Sequence, residues 1–261
     1  MNGRKMAFSR FPMKDPRTVA RDIPGIFDVI FPQLSPGTVA YFNNNSVSYD
    51  EIQVLPDELV KASALKPAML FEIAFARGEQ LLNGLTNADW DGCLKVATQR
   101  QRRHFDARIP DALTDPDLVV SEWVGKNLAS MLNQLHANES GNELISSPEI
   151  PGYQWIASGK GDFSIGPKLI EVKCTERNFG SADYRQILMY WLLSYASAIE
   201  HDTPEWTSCI LLNPRLNRIV EIPFNDIIRT SAAGRSKIEI LELFSSMVGD
   251  YALKALSEFK L

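Results

Sequence analysis

The sequence predicts an α/β protein in which helices flank a mixed β-sheet, with an N-terminal α+β region before it. Two observations predict this class. From about residue 118 onward, hydrophobic periodicity alternates in the order helix, three strands, helix, two strands, helix, a pattern typical of helices packed on the faces of a sheet. Before that point helical periodicity dominates, with one pair of β-prone runs. The linker-like segment IPDALTDPD separates the parts, so we expect an N-terminal region over residues 1–112 and a second domain over residues 113–261.

The N-terminal elements follow from turn residues and helical spacing. Residues 1–32 are rich in proline and basic residues, which favours an irregular arm. Residues 37–55, GTVAYFNNNSVSYDEIQVL, carry two β-prone runs around NNNS and predict a hairpin. Amphipathic helices are predicted in DELVKASAL, PAMLFEIAFARGEQLLNGL and NADWDGCLKVATQRQRRHF. We expect this region to select the substrate, form a dimer or dock a partner.

The second domain is predicted to open with a helix over residues 118–138. Strands are predicted in LISSPEI, YQWIAS and LIEVKC, and a helix over residues 183–195 follows them. Two further strands, WTSCILLNP and NRIVEIPF, are joined by a turn at residues 215–217. A final helix is predicted over residues 237–259.

Three charged residues in this domain have the spacing of a catalytic centre. In KLIEVKC, alternation along a strand places Leu169, Glu171 and Lys173 on one face, while the intervening residues face the opposite side. Asp162 precedes a turn signal that contains Gly166. A hairpin of this length returns Glu171 beside Asp162.

Two adjacent carboxylates in a partly dry site favour a divalent cation between them, because they repel each other when both are ionised. Mg²⁺, or Mn²⁺, suits ligation by oxygen alone and leaves positions for water and a substrate phosphate. Lys173 would lie beside the metal, where it can orient or deprotonate the attacking water and offset charge on the phosphate. The pattern predicts metal-assisted hydrolysis of a phosphodiester.

The helix predicted over residues 183–195 supports the same site. Gln186 and Tyr190 are four residues apart and share a helix face. Tyr184 and Arg185 lie in the first turn, where free backbone N–H groups favour a phosphate. An alternative is that Tyr190 is an ordinary core aromatic, since apolar residues surround it.

Together these positions resemble the PD-(D/E)XK nuclease superfamily, in the branch with a QxxxY helix typified by the nuclease domain of RecB. The resemblance covers about residues 115–245 and implies a restriction-endonuclease-like sheet. It implies that Asp162 and Glu171 are metal ligands and that Lys173 is the catalytic lysine. It further implies that Gln186 and Tyr190 contact the substrate backbone or support the lysine.

The family also places an acidic residue on the first core helix, and Glu122 is the nearest match here. The resemblance therefore implies Glu122 as a further metal ligand. The chain departs from the family pattern at one position, where Gly161 stands in place of a proline before Asp162.

Nucleic-acid binding must come from local basic patches, because the net charge of −5 opposes binding by bulk electrostatics. Candidate phosphate contacts are Lys160, Arg185 and the cluster Arg100, Arg102 and Arg103 in QRQRRHFDAR. For the cluster, an exposed helix face or an interdomain strip of ion pairs is an equally good interpretation. Plain solvent exposure is the alternative for Lys160.

Other classes of site lack their signatures. The three cysteines have no CxxC spacing, and the three histidines are scattered without a partner motif, so a zinc site is not expected. The longest uncharged apolar run has about 13 residues, too few to span a bilayer. The N-terminus has no apolar core of a secretory signal, and few unpaired cysteines suit a reducing cytoplasm. We therefore expect a cytoplasmic protein.

The expected function is a Mg²⁺-dependent nuclease that hydrolyses phosphodiester bonds of DNA. By analogy with the family, we expect it to belong to an antiviral defence or DNA-repair system, as a homo-oligomer or as a subunit beside an ATPase or helicase. Two alternatives remain at this point. One is a non-catalytic nucleic-acid-binding or assembly subunit that keeps the nuclease fold. The other is a nuclease directed at RNA, since nothing in the sequence identifies a contact to a 2′-hydroxyl.

Overall fold

The computed structural model describes residues 12–22, 25–101, 110–139 and 141–258, the last five as backbone only. The helices are α1 Pro16–Asp22, α2 Ile26–Ile30, α3 Pro36–Asn43, α4 Asp57–Ala62, α5 Pro67–Leu82, α6 Trp90–Gln101, α7 Asp115–Ala137, α8 Ser181–His201, α9 Phe224–Ser231 and α10 Lys237–Glu258. The strands are β1 Leu144–Ser146, β2 Glu149–Ile150, β3 Gly159–Lys160, β4 Phe163–Ile165, β5 Lys168–Val172, β6 Ser208–Asn213 and β7 Arg218–Pro223.

Five strands form one mixed sheet in the order β1-β4-β5-β6-β7, and β2 and β3 form a separate two-stranded ladder. Every neighbouring pair in the large sheet is antiparallel except β5 and β6, which are parallel. Parallel neighbours need a long crossover, and α8 supplies it. The prediction of a mixed sheet flanked by helices is confirmed.

Alternation along the strands divides the core into two layers. Leu169 of β5 and Leu211 of β6 face the layer that contains α1, α2, α3, α8 and α10. Ile170 and Val172 of β5 face the opposite layer, against α7. A strand with apolar residues on both faces is buried on both faces, so β5 is a rigid support for any polar side chain that it carries.

The N-terminal region differs from its prediction. The predicted hairpin over residues 37–55 is wrong, because residues 36–43 form α3. Ser35 caps this helix by accepting a hydrogen bond from the Thr38 N–H at 3.2 Å, and Pro36 suits its first turn. The β-prone residues Val39 and Phe42 are three apart and both reach the core.

The α+β character predicted for this region is likewise wrong for its described residues, where only isolated bridges such as Val47 to Ile219 represent β-structure. The irregular arm predicted over residues 1–32 contains α1 and α2 in its described part; residues 1–11 lie outside the description. Helices from this region pack on the sheet domain, as α5 does on α7. The boundary between residues 112 and 113 stays a prediction.

Three differences occur in the second domain. The predicted strand LISSPEI is divided into β1 and β2, which belong to different sheets. The predicted strand YQWIAS is instead a turn, in which Tyr153 and Ile156 exchange backbone hydrogen bonds and Gln154 has a φ of 52°. Helix α9, of eight residues, has no counterpart among the predicted elements. None of the described helices has the length and apolarity needed to cross a bilayer.

Helices α5 and α7 cross at Gly78 and Gly125, where an added Cβ would meet the other helix. A substitution there tests this packing directly. A Cβ at Gly125 would lie 2.9 Å from Arg77 Cγ and 3.1 Å from the backbone oxygen of Ala74. We expect Gly125→Ala to lower the free energy of unfolding by about 1–3 kcal/mol through overpacking, as measured by urea denaturation.

Gly249→Ala in α10 is the matched control, because nothing lies within 4 Å of its added Cβ. Alanine has the higher helix propensity, so this variant should be as stable as the wild type or more stable by up to about 1 kcal/mol. Equal effects at the two positions would contradict the close helix crossing.

Candidate active site

The β4–β5 hairpin brings two carboxylates together at the edge of the sheet. Phe163 of β4 pairs with Ile170 of β5, so the next opposing positions are Asp162 and Glu171. The Val172 N–H donates to Asp162 Oδ2 at 2.8 Å, which holds the aspartate against β5. At the turn, Gly166 has a φ of +51° and a Cβ there would lie 2.6 Å from the Asn142 side chain. Glycine therefore permits the hairpin that returns one acid beside the other.

Glu171 is almost completely buried, with 1% of its surface exposed. Its Oε1 accepts hydrogen bonds from Lys173 Nζ at 2.7 Å and from Gln186 Nε2 at 2.5 Å. Its Oε2 is buried and has no hydrogen-bond partner among the described residues. Burial, with the nearby Asp162 charge as a second cause, raises the pKa of the Glu171 carboxyl to about 7. Glu171 Oε2 therefore has no donor or cation among the described residues that compensates its negative charge.

Gln186 connects the strand to the helix. Its amide nitrogen donates to Glu171 Oε1 and, at 3.0 Å, to the hydroxyl of Tyr190, while its carbonyl oxygen accepts from Lys173 Nζ at 3.0 Å. Both amide hydrogens are therefore used. Gln186 and Tyr190 lie on one face of α8, as their spacing predicts. This face meets Glu171 because α8 crosses over the face of β5 that carries the carboxylate.

Lys173 is held as a cation. Burial alone would lower the pKa of its ammonium, but the charges of Glu171 and Asp162 outweigh burial, so its pKa is raised. An ammonium that donates to both Glu171 and Gln186 is oriented and positively charged. In this state its contribution to chemistry is charge and a hydrogen bond, rather than removal of a proton.

A cavity of about 620 Å³ opens at these residues. Its lining comes from three parts of the chain: the hairpin with α8, the helix α1, and the helices α5 and α6. The charged lining residues are Asp15, Arg17, Arg21, Glu72, Arg100, Lys160, Asp162, Glu171 and Lys173.

Four of these, Asp15, Arg17, Arg21 and Glu72, are not among the residues singled out from the sequence. They are distant in the chain from the segment over residues 162–173, which carries Asp162, Glu171 and Lys173, and no motif connects them to it. The one available signal is RTVAR in α1, whose arginines are four apart and share a helix face.

Arg17 contacts the candidate site directly. Its Nε donates to the Tyr190 hydroxyl at 2.9 Å and its Nη2 donates to the backbone oxygen of Lys160 at 3.3 Å. The predicted candidates Lys160 and Arg100 also line the cavity. Arg100 binds Glu79 at 2.8 Å and lies 4.9 Å from the ring centre of Phe75. The candidates Arg102 and Arg103 lie outside the described residues.

Two predicted residues are not brought to the cavity. Glu122 binds Arg77 at 2.6 Å and Lys126 at 3.1 Å, and the structure does not support it as a metal ligand. The fully buried guanidinium of Arg77 requires this carboxylate as its counter-ion. Arg185 pairs with Asp28 and does not line the cavity, so the expected phosphate contact in the first turn of α8 is not supported either. Tyr184, from the same turn, is buried in the core.

A divalent cation fits the residues that remain. No group of three His, Cys, Asp or Glu side chains is close enough to hold a metal within the described ranges. Mg²⁺ needs fewer, since it commonly takes one or two carboxylates and completes its octahedron with water and phosphate oxygens. Glu171, whose Oε2 has no hydrogen-bond partner in the described part of the chain, lies beside Asp162, and such a cation would compensate both carboxylates.

Comparison with known proteins found no matching family model, no matching curated protein and no matching solved structure. The function of this chain must therefore be inferred from the cavity itself.

The raised pKa of Glu171 leads to a pH-dependent difference in stability. The folded state holds this proton more tightly than the unfolded chain does, so the contribution is fully present below the ordinary pKa of 4.5 and is lost as pH rises through about 7. In Glu171→Gln the group stays neutral. Relative to wild type, we expect the variant to gain about 3 kcal/mol of stability across this range, as measured by urea denaturation without divalent cations.

Glu242→Gln is the control for this experiment, because Glu242 is exposed on α10. Its stability relative to wild type should not follow the same pH course. A Glu171→Gln difference that is the same at low and high pH would show that folding does not raise the pKa of the buried carboxyl.

Proposed function

We propose that this protein is a divalent-metal-dependent nuclease that hydrolyses phosphodiester bonds of DNA, with Mg²⁺ or Mn²⁺ held by Asp162 and Glu171. One observation carries the proposal. The buried Oε2 of Glu171 has no hydrogen-bond partner within the described chain, and Glu171 lines a cavity together with Asp162 and Lys173. A buried carboxylate oxygen without a partner is costly, and a cation ligated by oxygen removes that cost.

Thiol chemistry is a poorer fit to this protein. Burial raises the pKa of Cys174 to about 12 and that of Cys93 to about 11, and Cys209 is fully buried with its pKa raised further. A thiolate is the reactive form of cysteine, and none of the three thiols ionises near neutral pH. The group beside the carboxylates is the ammonium of Lys173, which is suited to stabilising negative charge on a phosphate.

The residues divide the work of hydrolysis between them. Asp162 and Glu171 would hold the cation, which would polarise the phosphate and lower the pKa of the attacking water. Lys173 presents its ammonium beside them, where it stabilises negative charge that develops on the phosphate oxygens. Gln186 fixes the ammonium by accepting its hydrogen bond at 3.0 Å and holds Glu171 at the same time. Preorganised charge of this kind needs no rearrangement during the reaction.

The wider setting is proposed from the sequence resemblance alone: a component of a defence or repair system that acts with copies of itself or with an ATPase or helicase. The acidic net charge of −5 favours delivery of DNA by such a partner.

Substitution of the two charged groups tests the proposed nuclease. Asp162→Asn keeps an oxygen for the Val172 N–H but removes the charge that binds metal, and Lys173→Gln removes the ammonium. We expect each to lower the cleavage rate of labelled DNA in Mg²⁺ by roughly 100-fold or more. Calorimetry should show that wild type binds Mg²⁺ and that Asp162→Asn does not.

Asp226→Asn is the matched control, since Asp226 lies in an exposed ion pair with Arg229. It should cleave DNA and bind Mg²⁺ as wild type does. Single-stranded DNA, duplex DNA and RNA are compared as substrates. Preferential cleavage of RNA would show that the substrate is RNA rather than DNA. A wild-type protein that neither binds Mg²⁺ nor cleaves any of the three would overturn the proposal and favour a non-catalytic subunit.

A further inference from the structure

We propose that helix α1 forms a binding site for the phosphodiester backbone of the substrate, with Arg17 contacting a phosphate next to the carboxylate pair and Arg21 continuing the contact along the strand. This inference rests on the proposed nuclease function and extends it to a part of the chain outside the segment that carries the sequence resemblance.

The guanidinium of Arg17 is directed into the cavity without a counter-ion. Its two hydrogen bonds go to neutral acceptors, the Tyr190 hydroxyl and the Lys160 backbone oxygen. Among the described residues, no carboxylate comes within ion-pair distance of it. A half-buried guanidinium with neutral acceptors retains free N–H donors, which a phosphate satisfies. Burial lowers its pKa, but Tyr190 and the charges of Glu171 and Asp162 raise it, and the two carboxylates attract the guanidinium without forming an ion pair with it.

The charges of the whole cavity favour an anion once a metal is present. Five basic and four acidic side chains line it. Two of the acids, Asp162 and Glu171, are the proposed metal ligands, and Glu72 lies 3.7 Å from Arg100. A divalent cation on the carboxylate pair would leave the cavity strongly positive, which is what a polyanion requires.

Arg17 and Arg21 have the spacing of a linear contact. They are four residues apart on α1, share a helix face and both line the cavity, as does the exposed Lys160. Arg21 Nε lies 3.4 Å from the Arg17 backbone oxygen, so its side chain follows the helix surface. Basic groups in a row match the repeat of charge along a nucleic-acid strand.

The helix is anchored, so these side chains are held in position before substrate binds. Val19, on the opposite side of α1, and its neighbour Ala20 are buried in the main core, which also contains Ile187 and Tyr190 of α8. A preorganised guanidinium loses less conformational entropy on binding than a mobile one.

Tyr190 belongs to the same site. Its hydroxyl oxygen accepts from both Arg17 and Gln186, so its own hydrogen is free to donate elsewhere, and no acceptor for it is found among the described residues. One network thus joins the proposed phosphate contact, Arg17, through Tyr190 and Gln186 to the metal ligand Glu171.

The test measures binding of a fluorescein-labelled single-stranded DNA oligonucleotide by anisotropy in Mg²⁺. Its linkages are phosphorothioates, which keep their charge and resist cleavage. Arg17→Gln should weaken binding roughly 10-fold or more, as expected for loss of a charged hydrogen bond. The slope of log K against log salt concentration should fall by about 0.7, the value for one phosphate contact on a single strand. Arg17→Lys should keep the salt slope and recover part of the affinity.

Arg229→Gln is the matched control, because Arg229 is exposed and paired with Asp226; its affinity and salt slope should equal those of wild type. In a Tyr190→Phe background, Arg17→Gln should still weaken binding. An effect that vanishes there would mean that Arg17 acts only through Tyr190 and would overturn the inference.

The outcomes for α1 and for the nuclease are separable. If wild type cleaves DNA in Mg²⁺ but Arg17→Gln binds and cleaves like Arg229→Gln, the phosphate site is wrong and the nuclease stands. If the oligonucleotide binds in an Arg17-dependent way but is never cut, the phosphate site stands and the nuclease is wrong. Should Arg17→Gln fail to fold, Arg21→Gln decides the question, since Arg21 is exposed and an unchanged affinity and salt slope in that variant would contradict the contact along α1.

Discussion

The buried carboxylate of Glu171 is the constraint on which the rest of the site depends. A carboxylate with 1% exposure is tolerated only where surrounding groups compensate it, and here the compensation comes from Lys173 on the same strand and Gln186 on α8. One oxygen is satisfied and the other is not. The asymmetry distinguishes the first oxygen, which has a structural role, from the second, to which we assign the proposed role in metal binding.

The topology of the sheet explains why these groups meet. Strands β5 and β6 are parallel, so the chain must cross over between them, and α8 is that crossover. It therefore covers the face of β5 that carries Leu169 and Glu171, with Gln186 above the carboxylate. The β4–β5 hairpin places Asp162 directly opposite Glu171 on the neighbouring strand. A site built on central strands and a packed helix is more precise than one built on loops.

The N-terminal helices complete the cavity rather than standing apart from it. Arg17 and Arg21 come from α1, Glu72 from α5 and Arg100 from α6, and α1 shares its core with α8. The segment over residues 162–173 supplies the proposed metal ligands, while these helices supply most of the remaining charge around them. Substrate selection and the chemical step would then depend on two parts of the chain that are far apart in sequence.

The sequence by itself determined the elements whose signals are local. Strand alternation placed Glu171 and Lys173 on one face, hairpin length returned Glu171 to Asp162, and helical spacing aligned Gln186 with Tyr190. Each involves residues close in the chain, where backbone geometry decides the outcome. The α3 region was mispredicted as a hairpin, because burial of Val39 and Phe42 outweighed their β propensity. Only the tertiary structure decided that Arg17 and Glu72 join the cavity and that Glu122 is used by Arg77. These contacts join segments far apart in the chain, and packing of whole helices sets them.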